Sequence, residues 1–356
     1  MLEPRGSLDA LFQAIVDVES CSGNEGALAD AVEAALRTAP HLQVTRSGNT
    51  VAARTELGRD KRVVVAGHLD TVPLASNLPS RWETREGERV LWGRGSVDMK
   101  GGIACQLALA VALAEPRHDV TWCFYDNEEV EAAKNGLGLF AAAFPATLAA
   151  DFAILMEPTA ARIEGGCQGT LRATVTAHGR AAHSARSWLG HNAIHDLARP
   201  LALLQTFEPP RVTVEGLEYR EGLNAVAIAG GIAGNVIPDQ ASVTVNYRFA
   251  PDKTEQDAEA VVRALFERDG VDVAITDSAP AARPGLDAPL AAEFVAATGT
   301  EPGPKLGWTD IARFAALGIP GVNFGPGDPG LAHAYDERCP FAQVQACHDA
   351  LAAWLG

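Results

Sequence analysis

Positive charge is scarce in this chain of 356 residues: 29 Lys and Arg stand against 45 Asp and Glu, a formal net charge of −16. So acidic a surface repels nucleic acid and anionic membranes, and neither is expected as a partner. A small anionic substrate remains possible, because a local pocket of Arg and metal overrides the global field. Cysteine is sparse too. The six at positions 21, 105, 123, 167, 339 and 347 form no C-x-x-C pair, and most sit in apolar runs. They read as reduced, buried residues and not as a disulfide framework. Long apolar runs are missing. The longest, Ile103 to Glu115, is too short and too Ala-rich to span a bilayer. The first residues, Met1 to Gly6, lack a charged segment followed by an apolar one. The expected location is the cytoplasm. H-E-x-x-H, G-x-S-x-G and P-loop patterns are also absent, so serine-hydrolase and nucleotide-hydrolase readings have no support.

What is present is a set of short acidic and histidine segments spread along the first 160 residues, with a late companion. They are His68-Leu69-Asp70, Gly95-Ser96-Val97-Asp98-Met99-Lys100-Gly101-Gly102, Asp126-Asn127-Glu128-Glu129, Glu157-Pro158-Thr159 and Leu331-Ala332-His333. Imidazole and carboxylate without thiolate are the donors of a hydrolytic metal site. Segments this dispersed need a fold to gather them.

The length favours two domains. Apolar spacing of three and four predicts helices over 8–18 and 26–36. Buried strands are expected over 62–66, 119–125 and 152–156, with a helix from Gly101 to Ala114 between the first two. Each strand is followed by polar residues, the layout of an α/β active site. The middle changes character. Residues 170–178 and 242–249 alternate, 225–233 is strand-like, and 192–207 reads as a helix. That is a smaller α+β domain of half-buried antiparallel strands. Helix and buried strand resume after Pro284. The expected organisation is a larger α/β domain, residues 1–171 and 283–356, with residues 172–282 inserted into it.

His68 at a strand end is commonly structural, but Asp70 lies on the same side of an extended segment. It could accept the second ring N–H and fix the tautomer. Asp98 could cap a helix, or its two oxygens could bridge two cations, with Gly101 and Gly102 giving backbone access. Glu128 and Glu129 follow a buried strand, where unpaired anions are costly. Being adjacent they diverge, so one can bind metal while the other acts as general base. Glu131 reads as solvent-exposed. Pro158 holds Glu157 extended. His333 follows a turn-rich loop. His191 and His195 are spaced four apart without an intervening metal motif and are assigned ordinary roles.

These residues resemble the M20 family of metallopeptidases and deacylases. The motifs are Gly67-His68-Leu69-Asp70-Thr71-Val72-Pro73, the segment from Gly93 to Gly102, Glu128-Glu129 and Glu157-Pro158. Their order and spacing fit across essentially the whole chain. The stretches 166–172, 182–190, 234–238, 246–251 and 307–310 extend the likeness into the middle and late chain. The resemblance implies a mixed-sheet zinc-peptidase-like catalytic domain and an inserted lid that also forms a homodimer. It implies two zinc ions, replaceable by cobalt or manganese, and hydrolysis of a small anionic amide. By motif, Asp98 bridges the two ions, His68 and Glu157 complete one site, and Glu129 and His333 the other. Glu128 is the base, and Asp70, as the partner of His68, is counted with the catalytic residues. His183 supports the oxyanion from the neighbouring subunit. Asn235 and Arg248 contact a substrate carboxylate, with Arg172 and Thr309 as further contacts. The chain departs from the pattern at Asn127 and Val130, which flank the acidic pair, and at Gly234 before Asn235.

Overall fold

The computed structural model describes residues 2–268 and 270–356; Met1, where the expected catalytic domain begins, lies outside them. The chain divides into two compact units. One comprises residues 1–165, 284–303 and 309–356, and the other residues 166–283 and 304–308. The first division therefore falls at residue 166 and not at the expected 172. The strand Gly169–His178 is ten residues long and pairs along its whole length within the second unit, so it cannot be shared. Residues 304–308 also join the second unit, although the sequence reading assigned them to the first.

In the first unit a mixed sheet runs in the order Gln43–Ser47, Thr50–Arg54, Asp119–Tyr125, Arg62–His68, Phe152–Leu155, Gly321–Asn323. The strand Arg62–His68 is parallel to both Asp119–Tyr125 and Phe152–Leu155. Their C-terminal ends therefore lie side by side. Val, Ile and Phe fill these strands, and burial on both faces suits a parallel sheet covered by helices. The helix Lys100–Ala112 is buried from Lys100 to Val111, which explains its near-continuous apolar sequence. It approaches the sheet closely: a Cβ on Gly102 would stand 2.4 Å from the Met156 carbonyl oxygen. Gly102 thus serves helix–strand packing, whereas an added Cβ on Gly101 would meet Pro326 and the Ser96 carbonyl. The C-terminal helix Phe341–Leu355 joins the same core. Trp354 meets Phe294 at 4.9 Å between ring centroids, and Phe152 lies beside both. Such aromatic pairs contribute about 0.5–1.5 kcal/mol each beyond their burial.

The second unit is a four-stranded antiparallel sheet in the order Gly222–Gly230, Gln240–Phe249, Gly169–His178, Val271–Ala279. Alternate residues Leu171, Ala173, Val175 and Ala177 face its core with Val243, Val245 and Tyr247. The single helix expected over 192–207 is two, Ala193–Asp196 and Ala198–Gln205. Pro200 has no N–H to give the carbonyl four residues back, so the helix restarts just before it. The helix Glu255–Phe266 was not anticipated, although Thr254 and Asp257 form a capping box at its start.

Candidate metal centre

The three parallel strands of the first unit deliver their following residues to one edge of the sheet. His68 ends its strand fully buried, and Leu69 N–H bonds to the Tyr125 carbonyl across the gap. Glu157 follows the third strand and is also buried. Asp98 arrives on the loop before the central helix. It is not the helix cap: Met99 holds that position, and the peptide bond between them is cis.

The carboxylate of Asp98 stands between two imidazoles. His68 Nε2 lies 3.0 Å from its Oδ1, and His333 Nε2 lies 3.4 Å from its Oδ2. Glu157 Oε1 is 3.8 Å from His68 Nε2, and Glu129 Oε1 is 2.8 Å from His333 Nε2. His68, Asp98 and Glu129 each offer a donor atom within 4.8 Å of the others. The five sequence-predicted ligands thus converge, split in two around Asp98. Asn127 and His333 take left-handed backbone, φ 58° and 63°. Strained positions of this kind concentrate at functional sites.

Electrostatics favour a cation here. Three carboxylates and Glu128 gather in a largely buried space around two imidazoles, an excess of negative charge that burial penalises. Burial opposes charge on His68, but contact with Asp70 and Asp98 outweighs it and holds the ring well above its ordinary pKa. Hydrogen bonds to Asp98 and Glu129 push His333 up to about 10. Burial would raise Asp98, yet the two imidazoles hold it below the usual carboxylate range. Burial, and then the neighbouring Glu157, Asp310 and Glu129, push Glu128 well up against the opposing pull of His68. Protons stand where divalent cations would balance the charge, and a nitrogen and oxygen donor set of this kind fits zinc.

Asp70 faces His68 Nδ1 with its main-chain carbonyl at 3.0 Å and its carboxylate oxygen at 3.5 Å. The carboxylate also accepts the N–H groups of Glu128 and Glu129, at 3.0 and 3.1 Å, and the Ser22 hydroxyl at 2.7 Å. It holds the acidic pair by its backbone. The Thr309 hydroxyl donates to Asn323 Oδ1 at 2.8 Å, and the residue is buried. Glu337 and Arg94 escaped the sequence reading. The signal for Glu337 was its place four residues after His333, and Arg94 stood unassigned inside the Gly93–Gly102 motif.

The other predicted residues belong to the second unit. Arg172 and Asn246 are cross-strand partners, and Arg248 lies two residues further on the same face. Burial and then the nearby Arg172 pull Arg248 below its ordinary value, and Arg172 itself lies 3.6 Å from the Asp277 carboxylate. His183 pairs with Val236 in a short ribbon, and Ser184 N–H bonds to the Asn235 carbonyl, which places His183 near Asn235. His183 Nδ1 accepts from Ala185 N–H at 3.1 Å. The neutral ring then carries its proton on Nε2, leaving an exposed donor.

The model of Peptidase family M20/M25/M40 matches residues 64–356. A Mycobacterium tuberculosis protein provisionally named succinyl-diaminopimelate desuccinylase is 54% identical over 100% of both chains. A Corynebacterium glutamicum succinyl-diaminopimelate desuccinylase is 47% identical over 96% of this chain and 94% of its own. Among solved structures, a Staphylococcus aureus tripeptidase aligns with TM-score 0.79 at 18% identity, covering 100% of this chain and 98% of that one. A Bacillus subtilis protein described as a dinuclear metal-binding peptidase of the M20 family aligns with TM-score 0.68 at 16% identity, covering 98% and 96%.

Proposed function

The chain belongs to Peptidase family M20/M25/M40, and we propose that it hydrolyses N-succinyl-LL-2,6-diaminopimelate to succinate and LL-2,6-diaminopimelate, in lysine and diaminopimelate biosynthesis. The observation that carries the chemistry is Asp98 between two histidines, each backed by its own glutamate. Asp98 would bridge two zinc ions, His68 and Glu157 holding one and Glu129 and His333 the other. Cobalt or manganese can use the same donors. Bound there, the pair supplies Lewis acidity to the amide carbonyl and to water.

Glu128 takes the proton from the attacking water and later returns it to the departing amine. Its raised proton affinity, set first by burial, suits a group that must hold a proton between two steps. Asp70 keeps it aimed through the Glu128 and Glu129 amides. His183 of the neighbouring subunit would donate its Nε2–H to the developing oxyanion. Arg248, with Arg172 and Asn235, receives substrate carboxylate, for which a guanidinium is well shaped. The Thr309 loop would add a further substrate contact.

A homodimer through the second unit completes the reading. Gly222–Gly230 is an edge strand of its sheet, and Val226 and Ile228 on it are 56% and 60% exposed, with Ile232 just beyond at 85%. An apolar open edge of this kind invites a second strand. A cytoplasmic location is supported by six cysteines that are all free thiols. Among the described residues no helix is long and apolar enough to cross a membrane.

The decisive assay gives the metal-stripped, zinc-reconstituted protein two substrates in parallel, the succinyl-diaminopimelate and N-acetylornithine. Zinc-dependent turnover favouring the succinyl compound is expected. Preference for the acetyl compound would move the chain to another deacylase activity of the family, such as acetylornithine deacetylase, aminoacylase or glutamate carboxypeptidase. Silence on both would remove the desuccinylase reading in favour of a broader amidase or a non-catalytic metal-binding role.

A further inference from the structure

Two loops that share no strand meet behind the candidate centre, and one buried ion pair joins them. Glu337 is 1% exposed and Arg94 is 4% exposed. Glu337 Oε2 accepts from Arg94 Nη1 at 2.8 Å. Its Oε1 accepts two consecutive amides, Val97 N–H at 3.0 Å and Asp98 N–H at 3.1 Å. The same Arg94 Nη1 reaches the carbonyl of Ala334, the residue after His333, at 3.3 Å. The main chains are tied as well. Gly93 N–H bonds to the Glu337 carbonyl, continuing the ladder between Arg338–Pro340 and Glu88–Trp92. Every hydrogen bond of the Glu337 carboxylate is therefore spent on the Asp98 loop, and Arg94 carries the hold across to the His333 loop.

We propose that Glu337, acting with Arg94, is a positioning residue that fixes Asp98 relative to His333 and so sets affinity for the second of two cations. This rests on the dinuclear reading given above. The asymmetry follows from the connections. His68 and Glu157 are fixed by sheet strands and need no clasp. His333 lies on a loop, half exposed, and meets Asp98 only if the two loops keep their register. Loosening the clasp frees the His333 loop to move away from Asp98 Oδ2, while Asp98 Oδ1 keeps its 3.0 Å contact with His68 Nε2 beside Glu157. Partners that orient metal ligands from behind typically change metal affinity by about 10–100-fold when mutated.

The test titrates zinc into the metal-free protein, with a competing chelator, and reads two separate dissociation constants. Glu337→Gln keeps an oxygen for the amides but turns an N–H group towards Arg94. Glu337→Asp keeps the charge but is one methylene too short to span both partners. Circular dichroism and thermal melting of the metal-free variants report their folding. In at least one folded variant the first zinc should bind as in the unmutated protein, and the second about 10–100-fold more weakly. Equal weakening of both ions, unchanged binding of both, or failure of both variants to fold would make the pair a scaffold element and overturn the proposal. The unmutated protein and His333→Ala keep the two readings apart. If the unmutated protein takes up fewer than two zinc ions, the dinuclear reading itself fails; if His333→Ala still binds two at full affinity, His333 is no ligand of the second ion and the proposal falls.

Discussion

Glu128 and Glu129 are neighbours in sequence and differ sharply in surroundings. Glu129 touches an imidazole, while Glu128 is pushed upward by burial and by nearby acids. Glu128→Gln should therefore retain the metals and lose turnover by roughly 10²–10⁴-fold, the usual contribution of a positioned base. Metal content and kcat measured on one preparation check this, and near-unmutated turnover would remove the assignment. His333 gives a pH prediction. In the metal-free protein, hydrogen bonds to Asp98 and Glu129 raise it to about 10, so it is protonated at neutral pH. A raised folded-state pKa adds stability that is complete below the unfolded value of about 6.5 and lost as pH rises through about 10. Metal needs the neutral ring, so uptake near pH 7 should release protons, and affinity should climb with pH until His333 deprotonates unaided. Calorimetry in buffers of different ionisation heat measures the release; zinc binding without proton release would contradict the charge state. The sequence made these residues candidates by type and spacing. It gave no sign that the Asp70 carboxylate serves the Glu128 and Glu129 amides, because that contact depends on two strand ends lying side by side.

At the level of elements, the buried strands and the central helix were legible because short runs rich in β-branched and aromatic residues, and one longer Ala- and Leu-rich run after a glycine pair, separate strand from helix by length and composition. The split at Pro200 was equally open to reading, since proline interrupts the bonding of any helix. The role of Gly102 was not, because it depends on how near Met156 comes. Gly102→Ala would press a methyl group to 2.4 Å from a backbone oxygen, so the helix must shift. The expected loss is about 1–3 kcal/mol, as for other overpacked sites. Gly303→Ala, where an added Cβ meets nothing within 4 Å, should stay within about 0.5 kcal/mol. Urea unfolding of both variants makes the comparison. Equal stabilities would show that the helix–sheet approach has slack.

At the scale of the whole molecule, the apolar edge strand Gly222–Gly230 carries the proposed dimer. Ile228→Lys places a charge on that edge, a common means by which sheets resist pairing. Light scattering should find two copies for the unmutated protein and a shift towards one for the variant; an unchanged mass would send the interface elsewhere. The sequence by itself determined the α/β class with an inserted second unit, the family likeness, and the kinds of donor, because periodicity, composition and short motifs are local properties. Only the tertiary structure decided that Asp98 stands between His68 and His333, that Thr309 bonds to Asn323, and that Glu337 ties two loops. Asp98 and Glu337 are 239 residues apart. Contacts at such separations are set by strand order and core packing, which no local pattern records.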